Sequence, residues 1–293
     1  MKSSKTEPSA KSDTVQKGHL YLIPSPLGPD PVNRVLPEHV IATIHSLDTF
    51  FVERIRQANS FLRWLKHPVP DFKCRFYELN KHTPGAELLE MLSLLKKGVR
   101  AGIISEAGCP SVADPGSNLV QLAHQAGVPV TPLVGPSSIL LAVMGSGLNG
   151  QSFRFHGYLP KPGQQRTEAI RQLQNESMRT GATQSFMETP YRNNDLLREL
   201  IQELRDETLL CTASNLTLEN EQIITRRISE WRKKPADLDH QPTIFLLQSE
   251  AGGRDAPDPA GVTQSRKKAA SQKVWQSSVK KGKKKPARKG KRV

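Results

Sequence analysis

Cysteine, aromatic residues and long apolar runs are all scarce in this chain. Its 293 residues hold three cysteines, Cys74, Cys109 and Cys211. An odd number at wide spacing excludes a disulfide framework and offers no paired metal-ligand motif, so no metal is expected. Unpaired thiols fit a reducing compartment, and the expected location is the cytoplasm. No apolar stretch approaches the roughly 20 residues that cross a bilayer. The opening segment MKSSKTEPSAKSDTVQKG lacks the apolar centre of a secretory signal. A membrane partner is therefore not expected. Hydrophobic residues make up only 36% of the chain, which is low for a chain folded throughout and points to polar tails.

Charge is present in excess but is unevenly placed. The net charge is +14, yet residues 251–293 hold 14 Lys/Arg against 2 Asp/Glu, and residues 1–17 hold 4 against 2. Residues 18–250 are then balanced, with 24 of each sign. The basic surplus belongs to segments too polar to build a core. Domain expectations follow: a disordered segment 1–17, an N-terminal α/β domain 18–148, a C-terminal α/β domain 149–250 and a disordered basic tail 251–293.

Between the tails, strand and helix patterns alternate, which argues for an α/β protein. Strands are expected at His19–Pro24, Thr49–Val52, Arg75–Leu79, Val99–Ile104 and Val128–Val134. After Gly150 they recur at Ser152–Tyr158, Thr183–Glu188, Thr208–Ala213 and Thr243–Gln248. Helices are expected at Pro37–Ser46, Arg56–Leu65, Pro84–Lys97, Ser117–Ala126, Gln165–Arg179 and Arg192–Leu204. Ile223–Lys234 reads as mixed. In Pro84–Lys97, Leu88, Leu89, Leu92 and Leu95 are expected on one buried face.

Three loops stand out at strand carboxyl ends, where open α/β sheets bind ligands. Pro24-Ser25-Pro26-Leu27-Gly28-Pro29 follows the first strand and is stiffened by prolines. Ser105 to Gly116, SEAGCPSVADPG, follows the fourth. Its Ala107, Gly108 and Ala113 would let a ligand approach the backbone, and Asp114 is placed to cap the next helix. Gly135-Pro136-Ser137-Ser138 follows the fifth and opens a helix, whose amides suit a carboxylate or a ribose hydroxyl. By contrast, Gly145-Ser146-Gly147-Leu148-Asn149-Gly150 matches a dinucleotide fingerprint by letter only. A helix precedes it and a strand follows, the reverse of what that motif needs. It reads as a helix cap and connecting loop.

The ordered set PSPLG, SEAGCPSVADPG, LVGPSS, FHGYLP, METPYR and PTIFLL resembles the tetrapyrrole methylase superfamily of S-adenosylmethionine-dependent methyltransferases. Within it the likeness is to the branch that 2′-O-methylates a ribose of small-subunit ribosomal RNA, and it covers residues 19–248. The resemblance implies two α/β domains with S-adenosyl-L-methionine in the cleft between them, and a homodimer. It places cofactor contacts at Pro24, Pro26 and Gly28, at Ala107, Gly108, Cys109 and Val112, at Ser137 and Ser138, at Met187 and Glu188, and at Pro242 and Thr243. The substrate half departs from the pattern of the RNA branch: Ala213-Ser214-Asn215-Leu216-Thr217-Leu218 stands where Ala-Arg-Glu-Leu-Thr-Lys is usual.

Methyl transfer from a sulfonium needs alignment more than activation, and a hydroxyl acceptor needs a base. Glu106, Glu53 and Lys81 are the candidates by position. RNA, the expected partner, would meet the basic tail together with Arg54, Arg56 and Arg192. Two rival readings stay open on sequence: a methyltransferase of a tetrapyrrole or other small metabolite, and a non-catalytic RNA-binding relative.

Overall fold

A computed structural model describes residues 18–29 and 35–249. The expectations of disorder for 1–17 and 251–293 lie outside the described residues.

The first sheet comprises β1 (His19–Ile23), β2 (Thr49–Val52), β3 (Arg75–Glu78), β4 (Arg100–Ile104) and β5 (Val130–Pro132). Its order is β3-β2-β4-β1-β5 and every pairing is parallel. Strands β2 (TFFV) and β4 (RAGII) are apolar almost throughout, as strands covered on both faces must be. Phe50 and Phe51 are both fully buried but point to opposite faces. Phe50 joins Val40, Ile44 and Leu62 under α1 (Glu38–His45) and α2 (Ile55–Trp64). Phe51 joins Met91, Leu95, Leu119 and Ala123 under α3 (Gly85–Lys96) and α4 (Ser117–Gln125).

Two expectations need correction here. In α3 the buried stripe runs through Leu88, Met91, Leu92 and Leu95, the i, i+3, i+4, i+7 spacing of one helical face. Leu89 lies a further 100° round and is 58% exposed. The expected strand Val128–Val134 shrinks to three residues, because Pro129 and Pro132 supply no N–H to a ladder and confine β5 to the sheet edge.

The second sheet comprises β6 (Phe153–Tyr158), β7 (Thr183–Met187), β8 (Leu209–Ser214), β9 (Gln222–Arg227) and β10 (Thr243–Gln248), in the order β6-β7-β10-β8-β9. Only β6 and β7 run parallel; β10 is antiparallel to both neighbours, as is β9 to β8. The mixed stretch Ile223–Lys234 resolves into β9 and α8 (Ile228–Lys233). One face is covered by α6 (Gln164–Thr180), α7 (Asn193–Glu203) and α8, around Ile170, Leu197, Trp231, Phe186 and Phe245.

The other face of this sheet is covered by α5 (Ser138–Ser146), which follows β5 in sequence. Ala142 and Val143 pack on Cys211, Ala213, Ile244 and Leu246. At Gly145 an added Cβ would lie 2.4 Å from the Ile223 side chain, so the glycine sets the close approach of helix to sheet. Gly147 closes the helix in the left-handed region, at φ 71°, which accounts for the glycine-rich segment as a cap. A helix that the sequence groups with the first domain thus completes the core of the second sheet.

Candidate functional site

The three loops singled out in the sequence are tied to one another by hydrogen bonds. Ser25 and Gly108 exchange backbone bonds, N–H to C=O, at 2.8 and 2.9 Å. The Ser25 hydroxyl donates to the Ser105 carbonyl at 2.6 Å, and the Ser105 hydroxyl donates to the Gly108 carbonyl at 2.7 Å. The Cys109 thiol donates to Pro136 O at 3.4 Å. Pro24 lies behind this seam and lines neither cavity described below; its ring abuts Gly135, where an added Cβ would meet it at 2.2 Å.

The long loop is compact because four of its residues, Gly108, Ser111, Ala113 and Gly116, take positive φ. This winding removes Asp114 from its expected role. Gly116 is the residue at the helix N-cap and α4 begins at Ser117 without any side-chain cap bond. Asp114 instead points its half-buried carboxylate into a cavity.

That cavity, of about 320 Å³, is bounded by both sheets. Ala107, Gly108, Cys109, Val112, Ser137 and Ser138 come from the loops of the first sheet. Met187, Glu188, Pro242 and Thr243 come from the ends of β7 and β10. All ten were cofactor expectations. Antiparallel β10 makes this possible, since its amino end lies at the same sheet edge as the carboxyl ends of β7 and β8. Sequence reading missed Tyr158 on β6, Asp114, and Asn215, Leu216 and Leu218 after β8. Asn215 and Thr217 both take positive φ, and an unusual turn with a β-branched residue there was not legible from its letters.

A second cavity, of about 670 Å³, adjoins the first through the shared lining residues Leu27 and Ala107. Pro26 and Gly28 line this one rather than the smaller one. Its other walls are Glu53, Arg54, Arg56, Gln57, Phe61 and Trp64, at the end of β2 and along α2, and Glu106. Trp64 is 40% exposed and was not singled out in the sequence. Lys81 lines neither cavity. It lies exposed in a turn closed by bonds from Asn80 N–H to the Thr83 hydroxyl and from His82 N–H to the Asn80 carboxamide oxygen, both 2.8 Å. Arg192 also lies off the larger cavity, bound to Glu188.

The charges of the two cavities interact. Glu106 is paired with Arg54 at 3.0 Å. Burial, then the charge of Glu106, push the Glu53 carboxyl above its ordinary value, against the opposing pull of Arg54 and Lys81. Burial, then Glu53 and Glu106, push Asp114 up to about 6. Among the described residues Asp114 has no ion pair and accepts no hydrogen bond through its side chain. Burial and the Asp114 charge raise the Cys109 thiol, which leaves it protonated near neutrality and unsuited to act as a nucleophile.

Glu188 is held differently. Burial alone would raise its carboxyl, but a hydrogen bond from Arg192 at 2.8 Å, one from Thr189 N–H at 2.7 Å and the Arg192 charge outweigh this and hold it below the usual range. On its other side it accepts from Arg166 at 3.2 Å; Arg166 is fully buried and also clasps Glu199.

The smaller cavity fits S-adenosylmethionine on its chemistry. The amides at the start of α5 suit a carboxylate; Leu140 N–H is engaged by the Ser137 hydroxyl and Leu141 N–H by the Ser137 carbonyl, whereas Ser138 and Ile139 N–H have no hydrogen-bond partner among the described residues. The side chains of Val112, Ile139, Leu216 and Ile244 supply apolar walls for a purine. Among the described residues there is no cluster of metal-ligating side chains, and no helix long and apolar enough to cross a membrane.

Comparison with known proteins agrees with this geometry. Residues 29–231 match the family model described as Tetrapyrrole (Corrin/Porphyrin) Methylases. The chain is 30% identical over 227 residues to a ribosomal RNA small subunit methyltransferase I of Micromonospora olivasterospora, covering 78% of this chain and 68% of that one. It is 28% identical over 248 residues to the protein of the same name from Vibrio cholerae, covering 82% and 81%. The crystal structure of the methyltransferase CobJ shares the fold, with a TM-score of 0.53 at 16% identity over 82% of this chain and 98% of that one.

Proposed function

We propose, given that the chain belongs to the tetrapyrrole methylase family, that it is an S-adenosylmethionine-dependent methyltransferase acting on a ribose 2′-hydroxyl of ribosomal RNA. The observation that carries this is the convergence of ten residues from four separate segments on one cavity that opens, past Leu27 and Ala107, into a larger one. The smaller cavity takes the donor and the larger takes the acceptor. The relatives named as ribosomal RNA methyltransferases support the choice of RNA.

The donor supplies a methyl group already activated on sulfur, so the residues of the chain mainly orient and exclude. Ser137, Ser138 and the first amides of α5 hold the carboxylate end. Gly108 and Ala107 bring the backbone close to the reacting centre. In the larger cavity Trp64 offers a face on which a base stacks, while Arg56 offers a cation to its phosphates. Glu53 and Glu106 reach this cavity and Lys81 does not. Exposed arginines beside a half-buried Glu53 suit a ligand that is anionic at its edge and neutral within. A tetrapyrrole carrying several carboxylates is less well matched.

The finer assignments belong to the same reading. Residues 18–148 and 149–250 form the two α/β domains. The tail 251–293 and Arg54, Arg56 and Arg192 add non-specific attraction for RNA. The protein works in the cytoplasm, consistent with three free thiols, as a homodimer. Supporting the dimer, Val134, Leu140 and Met144 leave apolar side chains 64%, 53% and 78% exposed on and beside α5.

The test is transfer of labelled methyl groups into small ribosomal subunits from a strain lacking the protein, with small-molecule extract as the competing acceptor pool. Label in an alkali-resistant dinucleotide of the RNA is expected. Label in the extract alone would replace RNA by a metabolite, and absence of cofactor binding by calorimetry would remove the enzyme reading.

A further inference from the structure

Asp114 lies on the same loop as Ala107, which lines both cavities. Asp114 itself lines the smaller one, yet it lies close enough to Glu53 and Glu106, which line the larger, to feel both charges. The groups facing it are Glu53 at the end of β2, Glu106 and Cys109 on its own loop, and Tyr158 at the end of β6 across the cavity. None of these is a cation. Of the cations whose charge reaches these groups, Arg54 is paired with Glu106 and Arg192 with Glu188; Lys81 acts on Glu53 but lines neither cavity.

We propose that Asp114 is the catalytic residue that takes the proton from the acceptor hydroxyl. This rests on the methyltransferase reading above. The acceptor oxygen forms its bond to the methyl carbon as the carbon–sulfur bond breaks and that electron pair passes to sulfur. The hydroxyl proton passes to a carboxylate oxygen of Asp114, and later to water. Charge balances, since one cation and one carboxylate become a neutral thioether and a neutral carboxylic acid.

Geometry separates Asp114 from the two other carboxylates. Glu106 has its charge engaged by Arg54 at 3.0 Å. Glu53 lines only the acceptor cavity, away from the donor. Asp114 alone borders the donor cavity with an unpaired oxygen among the described residues. Its raised proton affinity, near 6, also brings it closer to the working pH, where a general base is most effective.

Asp114→Asn keeps the shape and removes the base. A fall in kcat on the order of 10²-fold is expected, with cofactor affinity measured by calorimetry within about threefold of wild type. The wild-type rate, measured with small ribosomal subunits as acceptor, should rise through about pH 6, and the variant should lose that inflection. A wild-type rate in the variant, or a loss confined to cofactor affinity, overturns the proposal. A second measurement does not depend on the acceptor. The folded pKa lies above the unfolded one, so protonation of Asp114 stabilises the fold fully below the ordinary aspartate range and is lost as pH rises through about 6. The melting temperature of Asp114→Asn relative to wild type should therefore increase across that interval. A difference that stays flat across that interval would put the folded pKa at the ordinary aspartate value of about 4 and would overturn the proposal even if RNA proved to be the wrong acceptor.

Discussion

Ser25 and Gly108, 83 positions apart in the chain, pair as an isolated two-residue antiparallel bridge between loops that leave two adjacent parallel strands. The bridge fixes the mouth of β1 to the mouth of β4. It also requires Gly108 at φ 72°, where a side chain is strained although its Cβ would meet nothing nearer than Leu27 at 3.5 Å.

Gly108→Val should therefore act through the backbone. A left-handed residue with a Cβ costs roughly 1–2 kcal/mol, more when β-branched, and the loop relieves this by giving up the bridge. Cofactor affinity is expected to fall at least about tenfold, since 1.4 kcal/mol corresponds to a factor of ten in an equilibrium constant. Calorimetry with S-adenosylmethionine on folded variant checks it; an unchanged affinity would take this loop out of the donor site.

Arg166→Met removes the buried partner of Glu188 and Glu199. Breaking such a pair costs about 3–5 kcal/mol because a charge is left behind, read as a lower urea midpoint. The pH response has a definite sign. Glu188 is held below its ordinary value of 4.5, so its contribution is full above that value and is lost as pH falls through the folded one. The stability gap between wild type and Glu188→Gln should be widest at neutral pH and close in acid.

Trp64→Ala should weaken binding of single-stranded RNA by about 1–3 kcal/mol if a base stacks there, with cofactor affinity unchanged. Fluorescence anisotropy of a labelled oligonucleotide reads the first and calorimetry the second. Equal loss of both would mean that the indole supports the fold of α2 rather than the acceptor.

Truncation after residue 250 removes a segment carrying 14 Lys/Arg and 2 Asp/Glu. Its RNA affinity should fall, and the slope of log affinity against log salt should flatten in proportion to the phosphate charges that the tail no longer neutralises. Cofactor affinity should not move. Truncated and full-length protein with the same slope would make the tail a bystander.

Much of this was legible in the letters alone. Strands such as TFFV and TIFLLQ declare themselves by continuous β-branched or aromatic content, and loops such as SEAGCPSVADPG by proline and glycine after an apolar run. The donor residues came from matching motifs, and ten of them share one cavity. What the letters hid is of two kinds. Local conformation can override residue preference: four positive φ values in the long loop turned Asp114 from the expected cap into a cavity carboxylate. Position in three dimensions is also invisible to a linear pattern. Trp64 reads as one more apolar residue of α2, Pro26 and Gly28 as neighbours of Pro24, and the antiparallel setting of β10 as another strand in an alternating series.

The route of α5 has a consequence for dissection of the protein. Cleavage in the connection around Asn149 would leave the leading fragment carrying a helix with its apolar face bare, and the trailing fragment with Cys211, Ala213, Ile244 and Leu246 uncovered. Neither piece is a self-sufficient folding unit, yet each exposes what the other lacks. Two such fragments expressed together should complement one another, and the donor site would be rebuilt only when they do.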